Sequence, residues 1–174
     1  MVEYMNPQES SFPGGHNPDM ENAKVELHRL LTLFLASKSL SELIEDPSGE
    51  RYDPILDIME KERSEITRIL LYLAILARVI DDREGRVFSS HDTDCGKLYT
   101  GADLSAINNL SLRDACNKII HATKIRGDVD DASCPTHLNP KMYFYGTTQS
   151  GDEWKAELDI IEFAKKYATV VCSF

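Results

Sequence analysis

Apolar residues recur at helical spacing in two long stretches of the chain. The first stretch begins near Asp19 and carries a stripe that predicts an amphipathic helix, formed by Leu27, Leu30, Leu31, Phe34 and Leu35. The second stretch begins at Pro54, a residue type favoured in the first turn of a helix, and ends before Gly85. Its second half is apolar on nearly all sides, so we expect neighbouring elements or a partner subunit to enclose it.

Shorter helices are indicated by their capping signals. Ser39 and Glu42 have the spacing of a capping box, which predicts a bend and a short helix that ends before Asp46. Ser111 and Asp114 have the same spacing and predict a helix that runs to about His121. The chain closes with a further helical pattern, whose apolar face holds Ile161, Ala164, Ala168 and Val171, with Tyr167 nearby.

A β-hairpin is predicted near the C-terminus. Residues 142–146 and 153–158 alternate with a period of two, and a turn sequence at 149–152 separates them. The polar stretches 89–96 and 126–141 carry no apolar period and are predicted to be loops.

Together these elements predict a mainly α fold, in which a four- to five-helix bundle carries a small C-terminal β-hairpin and a closing helix. We expect a flexible N-terminal segment over 1–20, the bundle over 21–125, a polar loop over 126–141, and the hairpin and last helix, packed on the bundle, over 142–174. The length of 174 residues fits one such domain.

The charge of the chain narrows the range of its partners. There are 29 acidic against 19 basic side chains, and the net charge of −10 repels phosphate backbones and anionic membranes. Broad non-specific binding to nucleic acid is therefore excluded, whereas a local basic site is compatible with the composition. Such a site is indicated over 113–124, where Arg113, Lys118 and Lys124 outnumber Asp114.

The chain shows no sign of a membrane or secretory destination. Its longest apolar run, 69–80, is shorter than the roughly 20 residues that a membrane-spanning helix needs. The first 20 residues contain no Lys or Arg and no apolar core, so no secretory signal is expected. Scattered cysteines favour reduced thiols in the cytoplasm over a disulfide framework; they are Cys95, Cys116, Cys134 and Cys172.

Candidate chemistry lies on the helix that Ser111 opens. Arg113, Asn117 and His121 follow one another at four-residue intervals and form one ridge. A histidine moves protons near neutral pH, an arginine holds a phosphate with two hydrogen bonds, and an asparagine orients either group. Metal-independent RNA cleavage by the 2′-hydroxyl requires such side chains. The structural alternative is a solvated ridge, beside a buried face of Leu112, Ala115, Cys116 and Ile119.

The segment from Cys116 to His121 resembles the RNxxxH signature of the HEPN superfamily, helical-bundle proteins of RNA processing, phage defence and toxin–antitoxin systems. Asn117 and His121 match the signature, whereas Cys116 stands at its arginine position. The resemblance implies a homodimer with a composite ribonuclease site, in which His121 is the general acid or base and Asn117 orients the phosphate. Arg113, one turn earlier, would contact the phosphate in place of the missing arginine.

We therefore expect an RNA-linked protein of defence or toxin–antitoxin type, with a weakened or lost endoribonuclease site and no cofactor. The alternative is a non-catalytic acidic interaction protein, such as a scaffold, an inhibitor subunit or a nucleic-acid mimic. Cys116 and the net charge of −10 favour this alternative. A gain of nuclease activity in a Cys116→Arg variant would distinguish the two hypotheses.

Two further sites are weaker candidates. His91 with Cys95, and Cys134 with His137, offer nitrogen and sulfur ligands of the kind that bind zinc. The aromatic residues of the hairpin offer a base-stacking platform. Because acidic residues flank them, we expect them instead to cover the bundle or a dimer interface; they are Tyr143, Phe144, Tyr145 and Trp154.

Overall fold

The computed structural model describes residues 19–48, 50–89, 93–130 and 136–173. Its two longest helices lie where the apolar stripes predict them. Helix α1, Met20–Ser41, begins after Asp19, whose side chain accepts a hydrogen bond from the amide of Asn22. Helix α2, Pro54–Glu84, ends at Gly85, whose φ of 68° is the left-handed conformation typical of a helix C-terminus.

The short helix predicted after Ser39 does not form. Helix α1 continues through Ser41, and turns follow up to residue 48. The hydroxyl of Ser41 donates to the carbonyl oxygen of Lys38, 2.7 Å away. The capping-box spacing was therefore misleading, because these residues form the last turn of α1.

Buried Asp53 fixes the join between the two helices. Its Oδ1 accepts hydrogen bonds from the amides of Ile55 and Leu56, at 2.8 and 3.2 Å, and caps α2. Its Oδ2 accepts from the amides of Glu45 and Asp46 in the preceding turn, at 2.8 and 3.3 Å. One carboxylate thus holds the turn to the helix.

The two remaining helices confirm the sequence prediction. Helix α3, Leu112–His121, is capped by the hydroxyl oxygen of Ser111, which accepts from the amide of Asp114 at 3.2 Å. Helix α4, Ile160–Val170, is capped by Asp159. Ala164, Tyr167 and Val171 are buried as predicted, whereas Ile161 and Ala168 are not, and Ile160, Phe163 and Val170 complete the buried face.

The predicted mainly α bundle is the wrong fold class. The described residues form four helices and a five-stranded antiparallel sheet, which is a mixed α/β fold. The strands are β1 (Asp94–Thr100), β2 (Ala106–Ser111), β3 (Lys124–Asp130), β4 (His137–Thr147) and β5 (Glu153–Asp159). They lie side by side in the order β2, β1, β5, β4, β3.

Strands β4 and β5 confirm the predicted hairpin, but the sheet extends well beyond it. Strands β1 and β2 occupy residues predicted to be loop or bundle. Strand β3 and the first half of β4 occupy most of the described part of 126–141, which is therefore not a polar loop. These strands are rich in polar residues because one face of an antiparallel sheet can be open to solvent.

The helices pack on one face of the sheet. Helix α1 contacts β4, α4 contacts β1, and α3 lies beside them. Helix α2 packs mainly on α1 and α3 and forms the outer layer. The hydroxyl of buried Tyr167 on α4 donates to the carbonyl oxygen of Leu73 on α2, 2.8 Å away, and so joins this layer to the core.

Two further predictions concern the N-terminal segment and membrane-spanning helices. The predicted flexible N-terminal segment lies outside the described residues, apart from its last two positions. Within the described ranges, no helix is long and apolar enough to cross a membrane.

Candidate nucleic-acid interface

The three residues of the predicted ridge lie on α3, but the first of them is paired with α2. Nη2 of Arg113 is 3.5 Å from Oδ2 of Asp81, a buried carboxylate that Arg78 also approaches at 3.5 Å. Asn117 is half-buried and His121 is exposed. The side chain of Arg113 is 55% exposed, so this contact turns Arg113 towards α2 without burying it.

Cys116, at the arginine position of the HEPN signature, faces the core. Its side chain is fully buried, and burial raises the pKa of the thiol well above its ordinary value. In this state the cysteine is an apolar core residue rather than a nucleophile. A Cys116→Arg variant would bury a charge, so its loss of folding would mask any gain of nuclease activity.

The basic site predicted over 113–124 is reduced by the packing of α3. Nζ of Lys118 lies 4.3 Å from the centre of the buried Trp154 ring, and burial lowers the pKa of this lysine. Lys124, by contrast, is exposed and belongs to β3. The exposed cations of this segment are therefore Arg113, which is paired with Asp81, and Lys124, which lies on the sheet.

The predicted zinc ligands are not brought together where the structure describes them. Cys95 is buried on β1, and burial raises the pKa of its thiol to about 12. His137 begins β4, which β5 separates from β1. His91 and Cys134 lie outside the described residues. Within the described ranges, no three His, Cys, Asp or Glu side chains are placed to hold one metal ion.

The sheet face opposite the helices carries two rows of side chains that cross all five strands. Residues paired directly across neighbouring strands lie on the same face of a sheet. From β2 to β3, the first row is Ile107, Tyr99, Lys155, Tyr145 and Lys124. The second row is Asn109, Lys97, Glu157, Tyr143 and Arg126. These two rows are called the open face below.

Alternation along the strands divides the hairpin aromatics between the two faces. Phe144 on β4 and Trp154 on β5 are buried, as the expectation of a covering role predicts. Tyr143 and Tyr145 flank Phe144 and are half-buried on the open face. They lie on the face away from the helices, so they do not cover the helices, whereas a role at a dimer interface stays a prediction.

Lys155 lies at the centre of the open face. Its Nζ is 5.1 Å from the ring centre of Tyr99 on β1 and 4.7 Å from that of Tyr143 on β4. One ammonium group thus contacts two rings by cation–π interaction across three strands. Along the first row, Tyr99, Lys155, Tyr145 and Lys124 alternate ring and cation at the strand spacing of about 4.8 Å.

Glu157, the one carboxylate of the open face, and Asp128 beside it are engaged by neighbouring groups. Glu157 accepts hydrogen bonds from the hydroxyl of Tyr99 and from Nζ of Lys141, each 3.1 Å long. Asp128 on β3 accepts one from the hydroxyl of Tyr143 at 3.4 Å. The negative charges are therefore partly neutralised within the sheet. Its exposed cations are Lys97, Lys124 and Arg126.

Protonation states on the open face follow from these contacts. Burial alone would raise the pKa of Glu157, but hydrogen bonds from Lys141 and Tyr99 lower it below its ordinary value. Burial and the neighbouring Glu157 raise the pKa of Tyr99, and burial and Asp128 raise that of Tyr143. At neutral pH the carboxylate is therefore charged and both phenols are neutral hydrogen-bond donors.

This arrangement suits a single-stranded nucleic acid. Rings on a protein surface stack on unpaired bases, while neighbouring lysines and arginines contact phosphates. Sequence reasoning found Tyr143 and Tyr145 but missed Tyr99, Lys97 and Arg126, because it placed no strand at β1 or β3. The β-favouring pair Tyr99 and Thr100 was the available signal for β1.

The chain matches no family model, no curated protein and no solved structure significantly. The resemblance of α3 to the HEPN signature stays a prediction from the sequence, and the helical bundle that it implies is not the fold observed. A functional inference therefore depends on the surface chemistry of this chain.

Proposed function

We propose that the protein is a non-catalytic RNA-binding protein of the cytoplasm, which binds single-stranded RNA on its open face. The observation that carries this proposal is the alternation of ring and cation along Tyr99, Lys155, Tyr145 and Lys124. Rings stack on any base and cations contact any phosphate, so little sequence preference is expected.

The paired carboxylates favour RNA binding over nucleic-acid mimicry. A mimic presents free carboxylates in place of phosphates, and would repel RNA. On the open face, Glu157 is bound by Tyr99 and Lys141, and Asp128 is bound by Tyr143. Within the two rows of the open face, one carboxylate lies among four cations, although exposed Glu153 lies on the same side of β5 beyond the first row. The acidic character of the whole molecule is therefore not that of the two rows.

The net charge of −10 limits the strength of the complex. Long-range repulsion weakens the approach of RNA, whereas the exposed cations attract it at close range. Three phosphate contacts, from Lys97, Lys124 and Arg126, predict that the logarithm of the association constant falls by about 2 for a tenfold rise in salt. Binding is therefore expected to be weak and salt-sensitive.

A direct test removes one ring and one cation from the open face. Fluorescence anisotropy would follow an RNA of about 12 nucleotides, a length within the usual site size of such surfaces. We expect Tyr145→Val, which keeps a strand-forming residue, to weaken binding about 5- to 30-fold through loss of one stacked base. Lys124→Gln should lower the slope of the logarithm of the association constant against the logarithm of the salt concentration by about 0.7.

Matched variants away from the sheet control for non-specific effects. Tyr52→Val removes a ring that is 81% exposed in the turn before α2. Lys38→Gln removes an exposed cation from α1. Both should bind RNA as the natural protein does. Equal losses of affinity in these controls would contradict the proposal. The absence of RNA binding at about 100 μM protein in low salt would contradict it as well, because this concentration is at the weak end of non-specific affinity.

RNA cleavage by the α3 ridge is a second candidate, which the connection of α3 to β3 favours. His121 ends α3 and precedes Lys124 by three residues, a distance of at most about 10 Å in extended chain. A phosphate on Lys124 would thus lie near the imidazole. His121 would act as general acid or base, Asn117 would orient the phosphate, and Arg113 would contact it.

Cleavage of structured RNA without added metal tests this second candidate. His121→Ala should abolish the release of 2′,3′-cyclic phosphate products, whereas His28→Ala, at an exposed histidine of α1, should not. Equal cleavage by the two variants, or none by the natural protein, removes the cleavage hypothesis. Neither result affects the RNA-binding test, which measures affinity alone.

A further inference from the structure

Helix α2 presents an apolar stripe to solvent. Leu71, Ile75 and Val79 recur at four-residue intervals and are 40%, 47% and 39% exposed. The opposite side of α2 packs on α1 and α3, and no described element covers the stripe. An exposed row of large apolar side chains on the outer layer is typical of a protein-protein contact.

We propose that a second copy of this chain covers the stripe, in a two-fold dimer in which the two α2 helices run antiparallel and Ile75 lies on the axis. A two-fold interface uses the same patch on both subunits, so residues equally spaced before and after Ile75 face one another. Leu71 then packs beside Val79 of the partner subunit, and the apolar stripe covers itself.

The charges that flank the stripe are complementary in this arrangement. Arg68 precedes Ile75 by seven residues and Asp82 follows it by seven. Two helical turns bring both residues back to within about 20° of the direction of Ile75. Their side chains are 48% and 70% exposed. Within its own chain, Arg68 binds Glu65 and Glu26 through Nε and Nη2, and Asp82 lies 3.5 Å from Arg78. Nη1 of Arg68 makes no bond among the described residues, so in this dimer that nitrogen faces Asp82 of the partner subunit at both ends of the stripe.

Other antiparallel registers lack this complementarity. An axis one turn earlier, at Leu71, would place Asp82 opposite Glu60 of the partner subunit, and two like charges would meet. An axis one turn later, at Val79, would place Ile75 opposite Arg83 of the partner subunit and bury a charge against an apolar residue. Of these three registers, the one centred on Ile75 pairs apolar with apolar side chains and places Nη1 of Arg68 opposite Asp82 of the partner subunit.

This dimer leaves the open face accessible. Helix α2 is the outer layer on the helical side, so its pairing places the two open faces on the outer sides of the assembly. The proposal is independent of RNA binding. One helix face from each subunit is a small interface, for which a dissociation constant in the micromolar range is expected.

Sedimentation velocity of the full chain between about 1 and 200 μM spans the affinity expected for so small an interface. The natural protein should shift from monomer to dimer, and Ile75→Asp should remain monomeric. Ile58→Asp is the matched control, because Ile58 is 55% exposed on the same helix but points about 100° away. It should dimerise like the natural protein, and circular dichroism would confirm that both variants fold.

A cysteine at the axis tests the register. In an Ile75→Cys variant the two new thiols face one another, so mild oxidation should yield a disulfide-linked dimer. Ile58→Cys and the natural protein, oxidised in parallel, should not. A natural protein that stays monomeric throughout the concentration range would overturn the proposal. Equal dissociation of the dimer by Ile58→Asp, or equal crosslinking through Ile58→Cys, would overturn it as well.

Discussion

Two buried carboxylates on the same side of the fold show how the surroundings of a single residue decide its behaviour. Asp53 is 6% exposed, and burial alone would raise its pKa, but four backbone amides lower it below the ordinary value. Glu62 is 7% exposed, and its Oε2 has no hydrogen-bond partner among the described residues. Burial therefore raises the pKa of Glu62. Asp53 stabilises the fold at neutral pH, whereas ionised Glu62 opposes it.

Replacing Glu62 by glutamine should relieve this cost at neutral pH. Because the folded pKa is raised, the folded state loses stability as the pH rises from about 4.3, the unfolded value, through the folded value. Glu62→Gln carries no charge, so its Tm at pH 7 should exceed that of the natural protein by about 2–4 °C, equivalent to about 1 kcal/mol. Near pH 4 the two proteins should melt together.

Thermal melts at both pH values check this prediction. Glu60→Gln, at an exposed residue near Glu62, is the control. A lower Tm for Glu62→Gln at pH 7, or the same shift at both pH values, would show that the carboxylate is stabilised by a contact.

For single residues, the burial of Cys116 could be predicted from the sequence, whereas the ion pair of Arg113 could not. Helical periodicity placed Cys116 on the buried face of α3, and it is fully buried. The partner of Arg113 is Asp81, thirty-two positions earlier on another helix. A pattern along one helix carries no information on such a contact, so the ridge looked more available than it is.

Among the elements, helices were predicted well and strands poorly. The helices present continuous apolar stripes and clear caps, of which Pro54 and Ser111 are examples. Strands β1 and β3 expose one face to solvent, and β2 is exposed along most of its length, so polar residues dominate them. Their stability comes from pairing with distant strands, which local periodicity does not reveal.

The pairing of β1 with β5 depends on Gly96. A Cβ atom at this position would overlap the backbone carbonyl of Glu157 on β5. Gly96→Ala should therefore force the two strands apart and lower the free energy of unfolding by about 2 kcal/mol or more, as overpacking does. Tyr99 and Lys97 belong to the displaced strand, so RNA binding should weaken as well.

Urea denaturation of Gly96→Ala beside Gly127→Ala checks this expectation. A Cβ atom added at Gly127 would meet the flexible ends of the Leu138 and Met142 side chains rather than backbone, so that substitution should cost much less. Equal stability of the two variants would mean that β1 and β5 do not pair as described.

For the whole molecule, the distribution of charge matters more than its sum. The net charge of −10 predicts that no broad surface of the protein attracts nucleic acid. It does not reveal the open face, because Lys97, Lys124 and Lys155 come from three separate strands. The open face and the apolar stripe of α2 lie on opposite sides of the fold, so the proposed RNA binding and the proposed dimer do not compete for one surface.

The central claim, that RNA binds on the open face, is tested most directly by locating the RNA on the protein. A single-stranded RNA with photoreactive uridines would be crosslinked to the natural protein, and the attached peptides identified by mass spectrometry. We predict crosslinks to the peptides of β1 and β4 that contain Tyr99, Tyr143 and Tyr145. Crosslinks confined to the helices, or none at saturating RNA, would contradict the account.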